Sequence, residues 1–142
     1  MTKMESHKLD CPKCGHLQDT CVWRTLNVTL SPDLREKLFN NEINVFACEK
    51  CGNKTLINVA LLYHDMDRKY CVQYYPVQEI EDPEFLKMFT KEGTLNVDSP
   101  FIRFGEDDHY LLEPHIVFYF FEMVSYIKFR DKLHDLHKEL IS

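Results

Sequence analysis

Alternating apolar and polar positions mark the first segment of regular structure in the chain. Within residues 22–30, four apolar side chains fall on one face of a period-two pattern: Val22, Leu26, Val28 and Leu30. Trp23 and polar side chains occupy the other face. This pattern is typical of a strand with one buried face.

Three further runs predict the remaining strands of the first half. Residues 43–47 are mostly apolar, residues 55–63 are rich in β-branched and apolar side chains, and residues 69–75 alternate and are aromatic. Residues 64–68 between the last two runs are polar, which favours a hairpin connection. We therefore expect a small antiparallel sheet.

A short helix is predicted between the first two strands. Ser31, Pro32 and Asp33 form a helix start, because the Ser hydroxyl can cap a backbone N–H group and Pro fits the first helical position. An apolar stripe follows at Leu34, Leu38 and Phe39, and two asparagines then end the helix.

The second half of the chain is less regular. The pattern of residues 77–111 predicts only a short helix at 83–89 and a short strand at 101–104. A long helix is expected from Glu113, and its apolar run 116–121 implies burial. The rest of that helix carries apolar side chains spaced three and four apart, which is typical of a surface helix or a coiled-coil seam: Tyr126, Phe129, Leu133, Leu136 and Leu140.

Composition and charge narrow the class of protein. The chain has 142 residues, 44% hydrophobic residues and a net charge of −6, which indicates one folded domain. Residues 77–114 alone carry 3 Lys/Arg against 10 Asp/Glu, a balance of −7, and no basic cluster occurs elsewhere. Nucleic-acid binding is therefore not favoured. The chain has neither an apolar leader nor an apolar run long enough to cross a membrane, so we expect a cytoplasmic protein. The cytoplasm is reducing, and closely spaced cysteines in a reducing compartment are more often metal ligands than disulfides.

The strongest motif is a repeated cysteine pair. Residues 11–15 and 48–52 each read Cys-x-x-Cys-Gly. Zinc binds four tetrahedral ligands and accepts thiolates readily, while glycine permits the positive φ that follows such a turn. We predict one structural zinc ion, whose ligands are Cys11, Cys14, Cys48 and Cys51. Four thiolates close the coordination shell and disfavour catalysis at the metal, and strand-like flanks disfavour the rival thiol–disulfide centre.

Other residues able to carry chemistry have simpler interpretations. Cys21 and Cys71 are expected to be small buried side chains, and His16 a surface residue beside the first pair. His64 and Asp65, with Asp67, are candidates for an acid–base pair or a second metal site, but turn geometry explains them more simply.

Three further groups have functional and structural interpretations. His134 and His137, with Asp131 and Asp135, form half a metal site or a solvated helix face. Residues 106–109 are acidic but match no calcium loop. Four aromatic residues form either a platform for stacking bases or part of the core, and the core is preferred: Trp23, Tyr70, Tyr74 and Tyr75.

The chain resembles the CpXC domain proteins, a prokaryotic family named for two cysteine-pair motifs. The resemblance rests on residues 11–15, the Trp23 strand and residues 31–38, 44–52 and 61–67, so it is strongest over the first 76 residues. It implies a zinc-binding domain of open biochemical role and a cytoplasmic, bacterial or archaeal source. It also makes residues 64–67 part of a family pattern.

These observations predict an α+β fold, in which a zinc-ribbon-like antiparallel sheet carries an inserted short helix and a long C-terminal helix. Residues 1–76 form the ribbon-like core, and residues 77–142 form an acidic connecting segment and the helix of the same domain. The leading hypothesis is a non-enzymatic interaction module that binds an unknown protein partner or self-associates through the seam at 129–140. The alternative is a nucleic-acid-binding zinc ribbon involved in transcription or regulation, and catalysis near His64 comes third.

Overall fold

The computed structural model describes residues 3–96 and 109–141. The strands are β1 Lys3–Asp10, β2 Leu17–Asn27, β3 Val45–Ala47, β4 Lys54–Leu56, β5 Leu61–Asp65, β6 Tyr70–Tyr74 and β7 His115–Val117. The helices are α1 Asp33–Phe39, α2 Pro83–Leu86 and α3 Phe120–Ile141, and 3-10 turns cover Val77–Glu81 and His109–Leu112. The predicted α+β class is confirmed.

Five of the strands form one sheet in the order β1-β2-β5-β6-β7, and β3 pairs with β4 in a separate small sheet. The β1–β2 and β5–β6 pairs are antiparallel, whereas β2–β5 and β6–β7 are parallel. The main sheet is therefore mixed, which corrects the expectation of an antiparallel sheet. Parallel neighbours need long crossovers. The segment carrying α1 and the small sheet provides the first, and the segment from residue 75 to 114 provides the second.

The N-terminal strand was not predicted. β1 is mostly exposed and carries charged and polar side chains at most positions, so it shows no apolar alternation. It lies at the edge of the sheet and pairs with β2 from Lys3 opposite Thr25 to Asp10 opposite Leu17. β2 accordingly begins directly after the first cysteine pair and ends at Asn27, whereas the apolar pattern predicted a strand from 22 to 30.

The predicted strand at 55–63 is divided between two sheets. β4 ends at Leu56, and β5 begins at Leu61 in the main sheet. The predicted strand at 43–47 is shortened because Asn44 adopts a positive φ of 54°. β-Branched composition alone does not reveal where a chain leaves one sheet and enters another.

Helix α1 buries Leu34 and Leu38, as predicted, and ends at the Asn40 cap. The predicted Ser31 side-chain cap is absent: the helix start has no side-chain cap hydrogen bond. The backbone carbonyl of Ser31 instead accepts a hydrogen bond from the N–H group of Leu34 at 3.1 Å. The predicted short helix at 83–89 contains α2, and the predicted strand at 101–104 lies outside the described residues.

The apolar run 116–121 is divided between a strand and a helix, so the prediction of one helix from Glu113 is wrong. Its first two residues lie in β7, and α3 begins at Phe120. A run of six apolar residues has no periodicity that separates strand from helix. The early part of α3 is also less buried than expected, since Phe121 is 70% exposed. The buried residues of α3 include Met123, Ile127 and Asp131.

The hydrophobic core lies where α1 and α3 pack against the main sheet. Tyr70 and Tyr74 belong to it, and Trp23 packs against it, which favours the core interpretation of these aromatic residues. The principal buried side chains are Leu26, Leu34, Leu38, Leu61, Tyr63, Val72, Met123 and Ile127. Among the helices that the structure describes, none is both long and apolar enough for a membrane crossing.

Candidate metal centre

Each cysteine pair lies in a tight turn between two antiparallel strands. The first pair joins β1 to β2 and the second joins β3 to β4. In the first turn, the N–H group of Cys11 donates to the carbonyl of His16 at 2.9 Å, and that of Gly15 donates to the carbonyl of Cys11 at 2.9 Å. The second turn repeats the pattern, as Cys48 donates to Asn53 at 2.9 Å. The repeated motif therefore folds twice into the same local structure.

The glycine after each pair is required by the backbone. Gly15 has a φ of 77° and Gly52 a φ of 76°. Apart from the glycine and its two chain neighbours, no atom of the described residues lies within 4 Å of a β-carbon placed on either glycine, so space is not the constraint. A side chain there is disfavoured by the left-handed conformation itself. The sequence prediction of a positive φ after each pair is confirmed.

The two turns bring four sulfur atoms together. The Sγ atoms of Cys11, Cys14, Cys48 and Cys51 all lie within 4.8 Å of one another. Cys11 Sγ is 3.6 Å from Cys51 Sγ, and Cys14 Sγ is 3.6 Å from Cys48 Sγ. Four thiolates on a tetrahedral zinc ion, with bonds of about 2.3 Å, have sulfur–sulfur separations of about 3.8 Å. The four sulfurs thus fit a tetrahedral metal ion, and all six cysteines of the chain are free.

Backbone N–H groups face one sulfur in each turn. The N–H group of Lys13 lies 3.4 Å from Cys11 Sγ, and that of Cys51 lies 3.4 Å from Cys48 Sγ. Desolvation opposes ionisation of Cys11, but N–H donors of Cys14 and Lys13 outweigh it and lower the Cys11 pKa to about 6. Similarly, the Cys51 N–H group lowers the pKa of Cys48. Two of the sulfurs are therefore predisposed to the thiolate form, which is the form that binds metal.

The sulfur of Cys14 differs from those of Cys11 and Cys48 in the direction of its pKa shift. The His16 N–H group favours ionisation of Cys14, but desolvation and the neighbouring sulfurs of Cys48 and Cys51 raise its pKa to about 11. Four close thiolates repel one another, so complete ionisation of the cluster needs a positive charge among them. A bound metal ion would supply that charge.

The centre lies against a small hydrophobic cluster of its own. Cys11, Cys48 and Phe46 are buried together, and Leu9 and Ile57 pack against them. Cys14 and Cys51 are exposed. A bound ion would therefore lie at the edge of the molecule, with two ligands inside and two at the surface.

Sequence reasoning missed Gln18, whose side chain joins the two turns. Its amide nitrogen donates to the carbonyl of Ala47 at 2.9 Å, and its amide oxygen accepts from the N–H group of Glu49 at 2.9 Å. Gln18 is the second residue of β2, whereas its partners flank Cys48. No local signal marks such a residue, because its partners lie about thirty residues away along the chain.

The other thiols and His16 lie outside the cluster. Cys71 is buried, and its burial raises its pKa to about 12, as suits a small core residue. Cys21 is exposed on β2, which contradicts the prediction that it is buried. His16 lies 3.9 Å from the carboxylate of Glu49, at the surface.

His64 and Asp65 do not converge on one site. They are adjacent in β5, so their side chains point to opposite faces of the sheet. His64 Nδ1 is 2.9 Å from the hydroxyl of Tyr110. Asp65 accepts hydrogen bonds from the N–H groups of Asp67 and Arg68 and from the Arg68 guanidinium at 2.8 Å. Asp65 thus organises the hairpin turn, which supports the structural interpretation of the 64–68 segment.

The predicted solvated face of α3 needs one correction. His134, His137 and Asp135 are exposed, but Asp131 is buried and pairs with Arg35 at 2.7 Å. Asp131 lies four residues after Ile127 on the buried face of α3, whereas the sequence interpretation placed it on a solvated face. The predicted acidic loop at 106–109 lies mostly outside the described residues.

Comparison with known proteins gives one match. A family model described as CpXC protein matches residues 9–140, a span that contains both cysteine pairs and most of α3. No curated protein and no solved structure matches the chain.

Proposed function

The chain belongs to the CpXC family, and on that premise we propose that it is a non-catalytic interaction module stabilised by one zinc ion. The observation that supports this proposal most strongly is the group of four cysteine sulfurs within 4.8 Å of one another. Zinc is the metal that thiolate-only tetrahedral sites commonly hold. Cys11, Cys14, Cys48 and Cys51 would be its ligands.

A structural role suits this centre better than a chemical one. Four thiolates leave no open coordination position for water or a substrate. Neither cysteine pair lies at the N-terminus of a described helix, since each is followed by a strand. The helix dipole that activates many redox cysteines is therefore absent from both turns.

The free thiols suit a reducing compartment, so we place the protein in the cytoplasm. All six cysteines are unpaired, including the exposed Cys14, Cys21 and Cys51. An oxidising compartment converts exposed neighbouring thiols to disulfides, which would destroy the ligand set.

Substitution of one ligand tests the zinc site. Metal analysis of the purified chain should give about one zinc ion, and Cys48→Ser should lose both the metal and cooperative unfolding, because structural zinc contributes folding free energy. Cys21→Ser is the matched control, since it removes an exposed thiol outside the cluster. A Cys48→Ser protein that keeps a full zinc equivalent would exclude the proposed site.

The interaction surface that we propose is the outer face of α3, and the partner is a second copy of the chain. Phe129 and Leu136 are 55% and 50% exposed and lie seven residues apart, with the half-buried Leu133 between them. This spacing is that of a coiled-coil seam. The β6–β7 pairing and the packing of α3 on the sheet support the proposal that residues 1–76 and 77–142 form one domain.

Light scattering across a range of concentrations tests self-association. The wild-type chain should show a dimer that Phe129→Glu abolishes. Leu30→Glu is the control, because Leu30 is 69% exposed but lies in the turn after β2. A chain that remains monomeric at every concentration rejects the seam, and salt-dependent binding to DNA or RNA in parallel titrations would favour the alternative of a nucleic-acid-binding ribbon.

A further inference from the structure

We propose that a cavity beside the second half of α3 binds a phosphate-type oxyanion. The cavity has a volume of about 290 Å³ and lies between α3 and the turn and strand that follow β5. Its lining residues are Arg68, Tyr70, Arg130, Leu133, His134 and His137. The proposal is independent of the cysteine centre, with which the cavity shares no residue.

The chemistry of the lining is unusual for this chain. The protein has a net charge of −6, yet the cavity is lined by two arginines and two histidines and by no carboxylate. Arg130, His134 and His137 are four and three residues apart, so they project from one face of α3. Guanidinium and imidazole groups donate hydrogen bonds, and together they can surround an anion small enough for this volume.

Of the two arginines that line the cavity, Arg130 has no acidic partner among the described residues. It forms no ion pair with a carboxylate in the described part of the chain. Its guanidinium lies 4.6 Å from the centre of the Tyr70 ring and donates to the Tyr126 hydroxyl at 3.0 Å. Stacking on an aromatic ring fixes the guanidinium plane and leaves most of its five N–H donors for a ligand. A planar fork of this kind suits an oxyanion.

The carboxylates near the cavity are matched by other cations. Asp65 pairs with Arg68 at 2.8 Å, and Asp131 pairs with Arg35 at 2.7 Å and with Arg68 at 3.5 Å. Asp135 is the remaining acidic residue of this part of α3. It is exposed, and its negative charge contributes to the raised pKa of Arg68. The buried acids thus hold Arg35 and Arg68 in place.

A metal site is the competing interpretation of the two histidines. In the described residues, the cysteine cluster forms the one group of three or more ligand side chains that converge closely enough to hold an ion. His134 and His137 have no third ligand within reach among the described residues, and the guanidinium group of Arg130 beside them, which has no acidic partner there, repels a cation. The same guanidinium group attracts an anion, whereas the charge of Arg68 is matched by Asp65 and Asp131.

Calorimetric titration of inorganic phosphate into the zinc-loaded full chain, at constant ionic strength, tests the proposal. Saturable binding at one site per chain is expected, and Arg130→Gln should weaken it at least about tenfold. Lys128→Gln is the matched control, because it removes one positive charge two residues away on α3, where the ammonium group lies over Phe39 and not in the cavity. Equal phosphate affinities of wild type and Arg130→Gln would overturn the proposal. So would a heat of phosphate injection no larger than the heat of chloride injection.

Arg130→Gln loses the contacts of Arg130 with Tyr70 and Tyr126, so a second variant tests the site without changing them. The double variant His134→Ala, His137→Ala changes two exposed side chains and should fold normally. It should weaken phosphate binding severalfold, since it leaves the arginines but removes the two imidazole donors. Unchanged binding in this variant would also contradict the site as we describe it.

Discussion

The side-chain amide of Asn44 forms hydrogen bonds with both backbone groups of Trp23, in the way that the backbone of a neighbouring strand would. The Trp23 N–H group donates to Asn44 Oδ1 at 2.7 Å, and Asn44 Nδ2 donates to the Trp23 carbonyl at 3.0 Å. Asn44 is 2% exposed, and its own carbonyl accepts from the N–H group of Ile57 at 2.7 Å. One buried amide therefore connects β2 of the main sheet to the small sheet that carries the second cysteine pair.

Asn44→Gly should destabilise the protein by about 2 kcal/mol, because both Trp23 backbone groups lose their partner while glycine accepts the positive φ. Urea unfolding of the metal-loaded protein measures the change. Asn41→Gly is the control, since Asn41 also has a positive φ, of 60°, but is exposed. Its stability should be unchanged or slightly higher. Equal stabilities of Asn44→Gly and wild type would show that the amide contributes nothing.

Gln18→Ala should accelerate zinc loss, because the amide that holds Ala47 and Glu49 beside the second pair is removed. We expect a stability loss of about 1 kcal/mol, which is modest because the side chain is partly exposed. Transfer of zinc to a chromogenic chelator measures the rate, with Asp19→Ala as the control at the exposed neighbouring position. Identical rates for Gln18→Ala and wild type would contradict the bridging role.

The features predicted best from the sequence are those fixed by near neighbours. The two cysteine turns need only five consecutive residues each, so the motif, its glycine and its hydrogen bonds follow from local geometry. Helix α1 and the β5–β6 hairpin were predictable for the same reason, since an apolar stripe and a polar turn are both local patterns. We could predict that the two cysteine pairs lie close together because a zinc ion binds four ligands and each pair supplies two.

The features that were missed depend on distant parts of the chain. β1 has no apolar face and is recognisable only through its pairing with β2. Asp131 occupies a core position on α3 because Arg35, 96 residues earlier, lies opposite it. Gln18 and Asn44 act through partners in other strands. Apolar periodicity records burial, so it cannot reveal a polar side chain that is buried by a specific partner.

His115 should make stability depend on pH. Its ring stacks on Tyr126 with centroids 3.7 Å apart and planes 4° apart. His115 is exposed overall, but its partial desolvation lowers its pKa below the usual value of about 6.5; Glu122 opposes this effect and Arg130 adds to it. As the pH falls below about 6.5, the unfolded chain takes up this proton first, so the stability that is fully present above that pH is progressively lost.

His115→Phe keeps an aromatic ring in the stack and removes the proton site. Urea midpoints of the variant and wild type should differ little near pH 7.5, and the wild type should lose more stability than the variant as the pH falls below about 6.5. Any loss of zinc in acid affects both proteins, so their difference isolates His115. His7→Phe on the edge strand is the control. Parallel curves for His115→Phe and wild type would reject the assignment.

Asp131→Asn should be among the most destabilising changes in the chain. The Asp131 side chain is 4% exposed, accepts from Arg35 at 2.7 Å and from the Tyr70 hydroxyl at 2.9 Å, and pairs with Arg68 at 3.5 Å. Loss of the buried negative charge leaves the Arg35 guanidinium without its buried partner, and only the exposed carboxylate of Glu36, at 3.1 Å, remains beside it among the ion pairs of the described residues. The expected cost is about 2 kcal/mol, below that of a fully buried pair, because Arg35 is about one-third exposed and solvent reaches it.

Chemical denaturation measures this cost, and Asp135→Asn, one turn further along α3 and exposed, is the matched control. The double variant Arg35→Met, Asp131→Leu should recover most of the lost stability, since it removes the unpaired charge together with its partner and fills the space with apolar atoms. If the double variant is as unstable as Asp131→Asn, the cost arises from the lost Tyr70 and Arg68 contacts rather than from the exposed charge of Arg35. If Asp131→Asn itself unfolds at the wild-type midpoint, the buried carboxylate does not hold α3 to α1 and the sheet.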